Sequence, residues 1–103
     1  MLKLINTDYV NNVLTVYLNG EIDHNRATNL RTSIDGQINA LRPEALRLDF
    51  SRVSFMDSSG IGLIMGRYRT MGLIGGTLTV VNVPDNIGRI ISLSGISSLG
   101  VMR

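Results

Sequence analysis

Short strand-like runs alternate with amphipathic helical segments along this chain. That alternation, more than any single motif, limits what it can fold into. Over residues 13–18, Leu14, Val16 and Leu18 alternate with Val13, Thr15 and Tyr17, which predicts a strand partly apolar on both faces. Asn11-Asn12 tolerates positive φ and suits a hairpin with an earlier strand around residues 2–10. Asn19-Gly20 is expected to end the second strand. Ala27, Leu30, Ile34, Ile38 and Leu41 then recur at helical spacing. Asp23 is placed to cap that helix, and Pro43 stops it, forcing Arg42 out of helical geometry.

Residues 45–50 predict the next strand, with Leu46, Leu48 and Phe50 on one face and Arg47 and Asp49 on the other. Residues 51–56 are expected to carry the chain off its end. A helix comes next, from residue 58 to about 73, with Ile61, Ile64, Met65, Tyr68 and Met71 on one face and Gly72, Gly75 and Gly76 closing it. Residues 77–83 predict a strand rich in Thr and Val. Pro84 and Asp85 open a last helix, with Ile87, Ile90 and Ile91 inward and Gly95 as its stop.

The order β-β-α-β-α-β-α predicts an α/β fold over residues 1–103 as one domain. Strand–helix–strand crossovers require parallel pairing and right-handed connections, and the opening hairpin adds an antiparallel edge. The result is a mixed four-stranded sheet with the helices largely on one face. Loops at residues 20–25 and 53–60 lie at the carboxyl ends of the parallel strands, where partners of such sheets dock.

Composition narrows the chemistry. The chain has no cysteine, one histidine (His24) and two glutamates, Glu21 and Glu44. Disulfides, thiolate nucleophiles and Cys-based metal sites are excluded, and little remains for acid–base catalysis or zinc. No enzyme activity, metal or cofactor is expected. A net charge of +2 with no basic stripe argues against direct nucleic-acid binding. The start lacks the pattern of a signal peptide, and the longest apolar-looking run, residues 61–66, is far below the ~18 residues of a membrane span. A cytoplasmic protein with no membrane contact is expected.

The most informative stretch is FMDSSGIGLIMGRY, residues 55–68. It places Asp57, Ser58, Ser59 and Gly60 where a strand enters a helix, next to amides that lack helical partners. A dinucleotide fingerprint fails because Met65 stands where its third glycine is needed. A phosphate loop fails for want of Gly-Lys-Ser/Thr, and no Gly-x-Ser-x-Gly elbow is present. Two alternatives remain: a plain helix cap, or a serine presented to another enzyme. Spacing alone does not choose between Ser58 and Ser59.

The same stretch, with LDFSRVS before it, GEIDHNRATNLR upstream and the Ile74–Gly76 turn, resembles the STAS-domain anti-sigma factor antagonists. The resemblance covers nearly the whole chain and is strongest to the sporulation branch, the anti-sigma F factor antagonists. It implies partner switching. The unmodified form binds an anti-sigma factor, a serine kinase of the GHKL ATPase class, and frees the sigma factor. Phosphorylation on the serine after the motif's Asp, here Ser58, switches the antagonist off, and a PP2C-type serine phosphatase resets it. The free protein is expected to be a monomer. The candidate partner surface takes in Asp23, His24, Met56, Asp57, Ser59, Gly60, Ile61, Ile64 and Arg67, with Asp23 read as a contact or a cap, Ile61 as an exposed apolar contact or core, and Arg67 as a charge contact or a solvated side chain. Other circuits on the same fold are a general-stress antagonist or a scaffold STAS subunit. A small nucleotide-binding protein is the alternative from another class.

Overall fold

A computed structural model describes residues 5–102. The elements run β1 (Asn6–Val10), β2 (Val13–Ile22), α1 (His24–Leu41), β3 (Ala45–Met56), α2 (Ser58–Leu73), β4 (Thr77–Val81), α3 (Asp85–Ser94) and a 3-10 turn, Ile96–Leu99. The part of the expected first strand at residues 2–4 lies outside the described residues.

The sheet order is β1-β2-β3-β4, with β1 antiparallel to β2 and the other pairs parallel, as the crossover argument requires. Asn11 and Asn12 take φ of 52° and 65°, which turns the β1–β2 hairpin. Arg42 sits at φ 48°, outside the helix, as Pro43 dictates. Leu14, Val16, Leu46, Leu48, Phe50 and Val80 point to the covered face and pack against Leu30, Ile34, Ile38, Ile64 and Ile87 in one core. The strand order and the helices on one face are thus found as expected.

Three boundaries differ. Asn19-Gly20 does not end β2, which continues to Ile22 with Gly20 at φ +69°. Residues 51–56 do not leave the sheet, because β3 runs to Met56. β4 stops at Val81 rather than 83, where Asn82 turns at φ 56°. The cause of the first two is shared. β3 uses 12 residues against 10 in β2, and the register shifts at Tyr17/Asn19 and again at Gly20/Glu21. Each shift puts one extra residue in β3, a bulge that twists the strand and re-aims the residues beyond it. Inward positions in β3 therefore pass from Phe50 to Val53 to Met56, every third residue instead of every second. With both strands prolonged, the two expected loops shrink to single residues, Asp23 and Asp57.

The other sheet face is open and carries Tyr17, Arg47, Asp49 and Thr79. Asp49 is nonetheless buried. One carboxylate oxygen accepts from the Ser51 N–H at 2.9 Å and the other from Asn82 Nδ2 at 2.8 Å. Burial alone would raise its pKa, but the Ser51 and Asn82 hydrogen bonds, with Arg47 nearby, outweigh it and hold the carboxyl below its usual 3.8. A carboxyl with a lower pKa folded than unfolded adds stability above the unfolded value and loses it as pH falls through the folded one. Asp49→Asn is expected to lower the urea midpoint at pH 7, and the gap from wild type should close as pH falls through the lowered folded pKa of Asp49. An equal gap at both pH values would contradict the charge argument.

Candidate functional site

Parallel register builds the site. Ile22 pairs with Met56, and each strand then enters its helix through one residue, Asp23 before α1 and Asp57 before α2. Both are extended and both cap. Asp57 Oδ1 accepts from the Ser59 N–H at 2.8 Å, and Asp23 Oδ1 accepts from the Arg26 N–H at 2.9 Å. The Asp57 N–H donates to the Ile22 carbonyl at 3.3 Å, tying one join to the other. Neighbouring strands lie ~4.8 Å apart. His24 and Ser58, the first residues of α1 and α2, are therefore brought together at one end of the molecule.

Arg26 braces this end. Its Nη2 donates to Asn19 Oδ1 at 3.1 Å and its Nη1 to the Glu21 carbonyl at 3.4 Å, with the guanidinium lying over Gly20. Ser58 is exposed; Ser59 is half-buried and lines a groove between α1 and α2 with His24, Thr28, Arg31, Gly62 and Leu63. Asp23 and His24 are exposed, and Asp57 is half-buried.

Five residues expected on the contact surface face inward instead. Met56 is 1% exposed and lies under Gly60, which is itself buried. Ile64 is fully buried in the core and Arg67 is 4% exposed. Ile61, expected as an exposed apolar contact, is half-buried against the core. The inward stripe of α2 is thus Gly60, Leu63, Ile64, Arg67 and Met71, while Met65 and Tyr68, on the expected apolar face, are partly exposed. The helix is rotated from its apolar periodicity because a glycine and an arginine occupy inward positions. Gly60 lets α2 sit close on β3: a Cβ there would fall on Met56 Cγ and Sδ. At Gly62 a Cβ would meet nothing within 4 Å.

These two glycines therefore predict opposite outcomes. Gly60→Ala is expected to destabilise the fold by about 1–3 kcal/mol through overpacking. Gly62→Ala is expected to stabilise it by up to about 1 kcal/mol through helix propensity. Chemical denaturation of both variants checks the pair.

Arg67 is held by a residue that sequence spacing does not single out. Its Nε lies 2.9 Å from Asp35 Oδ1 on α1, an ion pair spanning the two helices. The approach is a charge contact rather than a hydrogen bond, so Arg67 Nε and Nη1 and Asp35 Oδ1 are buried without hydrogen-bond partners. Burial pushes the guanidinium down from its usual value; Asp35 opposes this and Arg31 adds to it. Sequence spacing likewise misses Arg31 and Thr28 as site residues, although they lie at i+7 and i+4 from His24 on one helical stripe. Among the described residues there is no group of three or more His, Asp or Glu able to hold a metal, and no helix is long and apolar enough to cross a membrane.

This arrangement has close counterparts in known proteins. An anti-sigma F factor antagonist of Paenibacillus polymyxa is 35% identical over 92 residues, which cover 89% of this chain and 79% of that protein. The solved structure of the anti-sigma factor antagonist SpoIIAA in its unphosphorylated form matches with a TM-score of 0.84 at 28% identity, covering 96% of this chain and 85% of that one. The Bacillus cell fate determinant SpoIIAA in its phosphorylated form matches with a TM-score of 0.75, also at 28% identity, over 96% of this chain and 88% of that one. The STAS domain profile matches residues 5–101, nearly the full described length, so the chain belongs to the STAS domain family.

Proposed function

We propose that this chain is an anti-sigma factor antagonist that works by partner switching. Unphosphorylated, it binds an anti-sigma factor that is also a serine kinase of the GHKL ATPase class, and the sigma factor is released. That kinase phosphorylates Ser58, the complex dissociates, and a PP2C-type phosphatase restores the serine. The chain is then a substrate and binding module in the cytoplasm rather than an enzyme. One observation carries this: Ser58 is exposed as the first residue of α2, directly behind the Asp57 cap and beside the start of α1. A kinase can reach such a hydroxyl, and a phosphate is tolerated at a helix start because free amides and the dipole offset its charge. Relatives named as antagonists, and a relative solved in both phosphorylation states, support the same assignment.

The test is incubation with the cognate anti-sigma kinase and ATP, with the modified residue located by mass spectrometry. Phosphate on Ser58, absent from Ser58→Ala, is the expected result. Labelling at Ser59 in place of Ser58, or no labelling of either, would refute the assignment.

A further inference from the structure

We propose that the groove between the first turns of α1 and α2 is a phosphoryl cradle that takes the phosphate carried by Ser58, with His24 and Arg31 as its cationic partners. This rests on the phosphoacceptor role of Ser58 given above. On α1, His24, Thr28 and Arg31 share one stripe that lines the groove. Arg31 lies two turns beyond His24 on that stripe. On α2, Ser58 and Gly62 are one turn apart on one face, and the space beside Gly62 is open. No side chain at Gly62 therefore separates a group on Ser58 from the groove.

The surrounding charges leave these two residues as the cations for the task. Arg26 is turned away to Asn19 and Glu21, and Arg67 is held at Asp35, within reach of the Arg31 charge but not lining the groove. The anions at this end are Asp23 and Asp57, each engaged by a backbone N–H, and Glu21 on β2. Outside the groove, the repulsion of these carboxylates would work against the helix-start amides and dipole. Inside it, hydrogen bonds from the His24 and Arg31 side chains favour the dianion.

The experiment installs phosphoserine at position 58 of the full chain by genetic encoding and tracks its second ionisation by 31P NMR, ordinarily near ~6. His24→Gln and Arg31→Gln are each expected to raise the midpoint by about 0.5 unit or more relative to the unsubstituted phosphoprotein. Arg69→Gln, on an exposed part of α2 lining a different groove, serves as the control and is expected to leave it unchanged. Equal midpoints in the unsubstituted, His24→Gln and Arg31→Gln proteins would overturn the proposal, as would an equal shift from Arg69→Gln. Because no kinase is involved, failure here leaves the kinase-labelling result intact, and failure of that labelling does not alter this titration.

Discussion

Phosphorylation of Ser58 is expected to weaken binding of the anti-sigma factor by at least about a hundredfold, while Ser58→Ala should bind within about threefold of the unmodified chain. The modification adds about −1.5 to −2 charges and three acceptor oxygens where a hydroxyl stood. A surface fitted to the hydroxyl has no room for the group and must strip its water. One carboxylate ~7 Å away at an effective dielectric of ~20 already costs about 2 kcal/mol, and each ~1.4 kcal/mol is tenfold in affinity. Ser58→Asp should fall between, since one carboxylate supplies about half the charge. Titration of the anti-sigma factor against the four forms checks the order. Amide shift changes on phosphorylation should stay near the starts of α1 and α2. Changes spread across the sheet would point to refolding and against a local charge switch.

The second large effect concerns stability. Asp35→Ala is expected to cost about 2–4 kcal/mol, because it leaves the Arg67 guanidinium, 4% exposed, without its counter-charge. The lower part of that range reflects the partial exposure of Asp35, 34% on its side chain. Arg67→Met should cost far less, or stabilise, since an apolar side chain of similar length removes both the desolvated charge and its unpaired donors. In a domain of this size each kcal/mol moves the melting temperature by about 4–8 °C, so thermal unfolding separates the two variants readily. Comparable losses in both would mean that Arg67 matters for packing rather than for charge. The double variant Asp35→Ala with Arg67→Met is expected to recover most of what Asp35→Ala loses, a non-additivity typical of residues in direct contact.

Particular residues explain how far the sequence can be read. Elements whose apolar residues keep a regular period are legible: α1 through Leu30, Ile34 and Ile38, and the start of β3 through Leu46, Leu48 and Phe50. Punctuation is equally legible, in Asp23 as a cap, Arg42 before Pro43, and Gly95 ending α3 at φ +84°, whereas the second cap is Asp57 rather than either serine after it. The far half of β3 escapes because its bulges replace the two-residue period with a three-residue one, which resembles an irregular path. The face of α2 is misjudged when apolarity serves as the mark of burial. Gly60 is inside because the backbone must approach Met56, and Arg67 is inside because Asp35, far off in sequence, meets it there. The groove residues Thr28 and Arg31 depend on which helix lies beside α1, and no local pattern states that.

The single-residue joins at Asp23 and Asp57 bear on how the chain meets a partner. Each strand hands its direction straight to its helix, with no slack that a docking event would have to take up. With the partner docked at this end as proposed, association need not forfeit loop entropy. Free and bound backbones there should superpose within about 1 Å. The heat-capacity change on complex formation should then be accounted for by the area covered at the interface, without the excess that accompanies coupled folding.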